Sequence, residues 1–327
     1  MAYDLSQYRL IEVTPATGHI GAEIQGVDIG HGISDAQFAE IRRAFLNHHV
    51  LFFQDQQLDP QSLAAFGERF APLCLTPYAK PMPDHPFVTK LVRSADVSSR
   101  ERNVGDRWHS DQSPREHPSF GFALYCLEAP PYGGDTLFAS LTAAYDSLSD
   151  GMKALCDDII AIHSPSGVFG YDGMGGGGTR KPLIHKGRDG QYRKIDDETL
   201  AIIRAETEHP LVCIHPETGR RYLYATGDYM IRLKGMTELE STGLIEQLNR
   251  HVTRPEFTCR FRWRKGAVAI LDNRCTQHYA VNDYEGFERA MLRIEMEGGR
   301  PFGPAMTRAK HGDDAVATPQ QETSHAL

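Results

Sequence analysis

Arg107-Trp108-His109-Ser110-Asp111-Gln112 is the stretch from which fold and chemistry are both read. Side chains alternate faces along an extended segment, so an imidazole and a carboxylate two residues apart share one side. His-x-Asp alone is a weak sign, because it arises by chance in many chains. Its weight comes from a third candidate ligand, His278, at the end of Leu271-Asp272-Asn273-Arg274-Cys275-Thr276-Gln277-His278, and from Arg289 and Arg293 beyond it. Two histidines and one carboxylate are the ligand set of a mononuclear non-haem Fe(II) site with open coordination positions. The same trio also suits zinc in a hydrolytic site.

Working outward, Leu10–Val13 and Gly21–Ile24 read as short strands, and Ser34 caps a helix with Phe38, Ile41, Ala44 and Phe45 on one stripe. Val50-Leu51-Phe52-Phe53 reads as a buried strand, and Ser62–Phe70 as a second helix. From about Thr89 the chain turns β-rich. Strands are expected at Thr89–Val92, Phe120–Leu127, Thr136–Ala139, Pro210–Ile214, Tyr222–Ala225, Phe257–Trp263, Ala267–Leu271 and Arg289–Met296. Helices interrupt them near Leu141–Leu148, Asp150–Asp158 and Thr237–Val252. Many short strands between turn residues favour a barrel or sandwich over alternating β-α units, and a barrel lets ligands from distant strands converge in its mouth.

The totals narrow the class. The chain has 327 residues, 40% apolar and 24% charged, with a formal charge of −8. An acidic balance argues against a nucleic-acid binder, and no apolar run approaches the roughly 20 residues of a membrane span. No secretory signal is visible at the N-terminus. The six cysteines form no Cys-x-x-Cys pair, which fits a reducing cytoplasm. Cys275, three residues before His278, is the thiol to watch. Residues 1–303 read as one domain and 304–327 as a disordered tail. Gly173–Lys194, with its four consecutive glycines, reads either as a surface loop or as a lid within about 165–195. The spacing of a phosphate-binding P-loop is not met there.

With these pieces in order, the chain resembles the taurine dioxygenase/2,4-D dioxygenase (TauD/TfdA-type) family of Fe(II)- and 2-oxoglutarate-dependent oxygenases. The resemblance runs from about Leu10 to Phe302. It rests on Val50–Asp55, Trp108-His109-Ser110-Asp111, Gly133-Gly134-Asp135-Thr136, Asp272–His278 and Arg289-Ala290-Met291-Leu292-Arg293. It implies a mainly β fold with flanking helices and a double-stranded β-helix (jelly-roll, cupin-like) core. It also implies that His109, Asp111 and His278 ligate Fe(II), that Thr136 and Arg289 hold 2-oxoglutarate, and that Arg293 holds the substrate's anionic group. O2 would be the second co-substrate.

The taurine enzymes carry a sulfonate-binding histidine where this chain, by register, has Thr76. That departure, at a position expected to bind substrate or co-substrate, puts taurine in doubt. His209–Val212, Phe257–Trp263 and His163-Ser164 with Val168–Gly170 resemble the aryloxyalkanoate-cleaving branch. The expected substrate is a small anionic or apolar molecule of the aryloxyalkanoate, alkyl sulfate or sulfonate kind. Taken singly, each residue has a plainer reading. His109 or His278 could be a core histidine, as His163, His185, His209, His215 and His251 are expected to be, Thr136 a strand-starting residue, and Arg289 a surface arginine. Retention of Asp111 predicts oxygenation rather than halogenation. The partners expected are a small-molecule substrate, with no nucleic acid and no membrane, and a homo-oligomer is left open. Desaturation or ring formation on the same platform, and a non-catalytic anion-binding barrel, also remain open.

Overall fold

The computed structural model describes residues 3–75, 80–98, 105–169, 184–186, 192–194 and 197–306. A nine-stranded sheet carries the fold. Its path runs Glu12–Pro15, Ala22–Gln25, Val50–Phe53, Val268–Asp272, Gly121–Glu128, Arg289–Met296, His85–Arg93 and Pro81–Met82, and Leu73–Cys74 pairs off this path with Arg289–Met296. Facing it is a smaller sheet of Thr258–Phe261, Thr136–Ser140 and Thr276–Ala280. Two packed sheets with strands far apart in sequence as neighbours form the jelly-roll core.

Period-two alternation sorts the large sheet into two faces. Leu51, Phe53, Ala123, Tyr125, Ile270, Leu292 and Ile294 pack with Ile41, Phe45, Leu63 and Phe66 of the helices Asp35–His48 and Pro60–Glu68. Val50, Phe52, Phe122, Leu124, Ala269 and Met291 instead meet Phe138 and Phe261 of the smaller sheet and Trp263 just beyond its edge strand. The Phe52 and Phe261 rings stack at 4.1 Å across that seam. Both sides of the strand are therefore covered, which is why Val50–Phe53 is apolar throughout and fully buried. The same alternation turns Arg289, Met291, Arg293 and Glu295 inward, opposite Leu292, Ile294 and Met296.

Ser34 caps its helix as expected, in a reciprocal box with Gln37. The expected strand Pro210–Ile214 is two strands. Thr207–Pro210 pairs with Ile160–His163, Val212–Ile214 pairs with Arg221–Leu223, and the chain changes sheets at Leu211. Phe257 ends a 3-10 turn, so that strand begins only at Thr258. Ile160–His163, Met230–Leu233 and Thr276–Ala280 are strands that periodicity does not reveal. Within the glycine-rich loop, Ile184–Lys186 and Tyr192–Lys194 form an antiparallel pair, and the rest of Gly173–Lys194 lies outside the described residues. Residues 307–327 of the expected tail lie outside them too. Among the described residues no helix is long and apolar enough to cross a membrane.

Candidate metal and co-substrate site

His278 sits in the strand Thr276–Ala280, and His109 forms an isolated antiparallel bridge with it. The two residues exchange both backbone hydrogen bonds, His109 N to His278 O at 3.1 Å and His278 N to His109 O at 2.9 Å. Directly opposed residues put their side chains on one face, so the imidazole centroids stand 4.1 Å apart. His109 bridges Gly227 on its other side.

The extended segment expected for His-x-Asp stops almost at once. Residues 111–114 turn, with Gln112 at φ 55°. Asp111 is instead fixed by Asn273, whose Oδ1 accepts the Asp111 N–H at 2.7 Å and whose Nδ2 donates to the Asp111 carbonyl at 2.9 Å. Asp111 Oδ1 lies 3.4 Å from His109 Nε2, and Oδ2 lies 3.9 Å from His278 Nε2. One ligand atom from each of the three residues falls within 4.8 Å of the others.

These donors fit a metal ion. His109 Nδ1 faces the Arg107 carbonyl at 2.7 Å. A carbonyl only accepts, so the proton resides on Nδ1 and the Nε2 lone pair points toward Asp111. A lone pair and a carboxylate aimed at one point call for a cation between them. Burial, helped by His109, pushes the His278 imidazole down to about 3, which leaves it neutral. Burial opposes the His109 imidazolium as well, but the Asp111 carboxylate outweighs it and holds that pKa above the ordinary value, so that a proton on Nε2 and a metal ion compete for the same place. For Asp111, burial disfavours the anion, yet the Arg293 guanidinium wins and keeps the carboxyl well below its usual range. Arg293 Nη2 donates to Asp111 Oδ2 at 2.5 Å and to Glu295 Oε1 at 2.6 Å. Two carboxylates around one guanidinium leave a net negative charge in a buried place, which a divalent ion balances.

A second buried trio, His215, Asp272 and Cys275, also has ligand atoms within 4.8 Å of one another. Its protons exclude a metal. His215 Nδ1 accepts the backbone N–H groups of Glu217 and Thr218 at 3.3 and 3.2 Å, so Nε2 bears the hydrogen and donates it to Asp272 Oδ2 at 2.9 Å. Arg274 grips both Asp272 oxygens, at 2.7 and 2.6 Å. The Cys275 thiol lies 3.3 Å from His49 Nδ1, and burial pushes its pKa well up. This cluster ties the turn before Thr276–Ala280 to the rest of the molecule.

Thr136 and Arg289 meet at Trp263. The indole Nε1 donates to Thr136 Oγ1 at 2.9 Å, and the Arg289 guanidinium carbon lies 5.6 Å from the indole centroid. Burial lowers the Arg289 pKa. The Nε of Arg289, like that of Arg293, is buried without a hydrogen-bond partner. Buried donors of this kind are rare unless a ligand completes them. Thr76 lies outside the described residues. His163, His209 and His215 are buried and hydrogen-bonded, as core histidines are.

Asn273 lies within Asp272–His278 and Glu295 within the strand Arg289–Met296, and residue type alone gives neither a role. Gly227 went unremarked. Its φ is 65°, and a Cβ there would lie 1.8 Å from the Trp108 carbonyl oxygen, so only glycine lets this turn lie against the His109 segment. The Gly-Asp sequence at 227–228 was a turn signal that could have flagged it.

A family model described as taurine catabolism dioxygenase TauD, TfdA family, matches residues 12–294. An alpha-ketoglutarate-dependent sulfate ester dioxygenase of Pseudomonas putida is 36% identical over 294 residues, covering 90% of this chain and 91% of that one. An alkylsulfatase of Acinetobacter baylyi is 34% identical over 88% of this chain and 85% of its own. A crystal structure of a taurine dioxygenase from Burkholderia xenovorans superposes with a TM-score of 0.73 at 32% identity, covering 90% of this chain and 94% of that one.

Proposed function

The chain belongs to the TauD/TfdA family, and from that premise we propose that it oxidatively cleaves an alkyl sulfate ester or a related small aliphatic anion. It is an alpha-ketoglutarate-dependent dioxygenase, using Fe(II), 2-oxoglutarate and O2. The bound iron and keto acid supply the oxidant, with succinate and carbon dioxide released and one oxygen atom delivered to substrate carbon. The observation that carries the reading is the meeting of His109, Asp111 and His278 beside two inward arginines with unpartnered Nε groups.

In this reading His109 and His278 offer neutral imidazoles and Asp111 a carboxylate, which leaves the remaining positions open. Arg289 clamps the distal carboxylate of 2-oxoglutarate, with Thr136 donating its hydroxyl because Trp263 already donates to the Thr136 oxygen. Arg293 holds the substrate's anionic head, so that the carbon next to it faces the metal. Hydroxylation of a carbon bearing a sulfate oxygen gives a hemiacetal ester, which collapses to an aldehyde and inorganic sulfate. The sulfate ester dioxygenase and alkylsulfatase names of the relatives support this head group. Six unpaired cysteines support a reducing cytoplasm.

The test is succinate release with Fe(II), ascorbate and 2-oxoglutarate against alkyl sulfates, alkyl sulfonates and aryloxy acids. Sulfate and aldehyde should appear in step with succinate. Asp111→Ala should abolish all three, and undiminished turnover in that variant would remove Asp111 from the metal shell.

A further inference from the structure

Glu295 is a carboxylate for which the iron and keto-acid chemistry has no use, yet it is 1% exposed and faces the site. Its Oε1 accepts from Arg293 Nη2 at 2.6 Å, and its Oε2 accepts from Gln112 Nε2 at 2.7 Å. Gln112 Oε1 in turn accepts from Arg115 Nη1 at 2.7 Å. Cys74 lies across the sheet, paired in register with Glu295. The groups around Glu295 are thus Arg293, Asp111, Gln112, Arg115 and Cys74. Because Glu295 follows Arg293 by two on one strand, backbone alternation alone brings the pair together.

The consequence is electrostatic. When Asp111 serves the metal, Arg293 keeps Glu295 as its counter-ion. The guanidinium then offers N–H groups to a ligand but little net positive charge. A head group with one negative charge still gains those hydrogen bonds. A second charge on the same tetrahedral shape gains no further donor and meets the Glu295 carboxylate. Sulfate and phosphate monoesters have this relation, with nearly the same shape and different charge at neutral pH.

We propose that Glu295 is a charge filter on Arg293, which admits a singly charged sulfate-type head and rejects the dianionic head of a phosphate monoester. The inference rests on Arg293 holding the substrate's anionic end. One unit charge in a partly dry site changes affinity by roughly tenfold or more.

The experiment uses the full-length protein with Fe(II) and 2-oxoglutarate, without oxygen, titrated with hexyl sulfate and hexyl phosphate. Binding is read from the visible absorption band of the chelated keto acid. At about pH 7.5 the wild type should favour the sulfate by roughly tenfold or more. Glu295→Gln should narrow that gap by about tenfold, and Glu295→Asp, which keeps the charge, should preserve it. Melting temperature and 2-oxoglutarate affinity check that each variant is folded. An unchanged gap in Glu295→Gln overturns the filter.

The wild type gives an independent reading. A phosphate monoester takes up its second proton at about pH 6. Lowering the pH to about 5.5 should therefore narrow the gap, while hexyl sulfate serves as the control for changes in the site itself. A gap that holds at both pH values also overturns the proposal. If hexyl sulfate fails to bind the wild type at all, the substrate role of Arg293 falls, and the filter with it. Failure of the filter alone leaves hexyl sulfate binding intact.

Discussion

Arg289 brings a guanidinium into the interior of the protein and leaves its Nε without an acceptor. A planar fork meets a carboxylate through two parallel bonds, and an ammonium cannot reproduce that geometry. Arg289→Lys is therefore expected to weaken 2-oxoglutarate binding by about tenfold to a hundredfold, the worth of one charge-assisted bond. Anaerobic titration of the visible band would measure it, and an unchanged affinity would exclude the clamp. At this scale the candidate trio His109, Asp111 and His278 was legible because its residue types and order are specific to the chemistry. Asn273 and Glu295 were not, since each acts through a neighbour that only the folded chain supplies, Asp111 for one and Arg293 for the other.

Elements explain why the candidate ligands are fixed so closely. His109 belongs to no regular strand and is held between Gly227 and His278 by backbone bridges. Arg107 adds an ion pair with Asp228 next to the same glycine. Gly227→Ala would push a Cβ into the Trp108 carbonyl and displace the segment carrying His109. The expected result is a loss of iron affinity of tenfold or more, with far-ultraviolet circular dichroism unchanged. Retention of wild-type iron affinity would show that the segment tolerates the shift. The strands Val50–Phe53 and Arg289–Met296 could be read from alternation and apolar runs. Thr276–Ala280 could not, because Thr-Gln-His-Tyr-Ala lacks an apolar period, and its burial comes from partners distant in sequence.

Across the whole molecule, buried charge sets how stability responds to change. Asp272 is fully buried between Arg274 and His215, and burial would raise its pKa, but Arg274 outweighs this and holds it low. Asp272→Asn leaves Arg274 only its ion pair with Glu217 and should cost about 1–3 kcal/mol in denaturant unfolding, the penalty for a buried charged group that loses one of its partners. A cost near zero would mean that the pair contributes nothing. Burial also pushes His48 down to about 4 and His49 to about 3. The unfolded chain then takes up protons below about pH 6.5 that the folded chain refuses. Stability should fall as pH drops from about 6.5 toward those folded values, by about 1.4 kcal/mol per pH unit for each histidine. Urea midpoints at several pH values, compared between wild type and His49→Gln, would reveal the slope. The pairing of His109 with His278 has a consequence for biosynthesis. The two imidazoles stand on chain segments separated by about half the sequence. An emerging polypeptide has no complete candidate trio until the later of them has been made and has docked. A half-synthesised copy thereby carries His109 and Asp111 without the third member of their cluster.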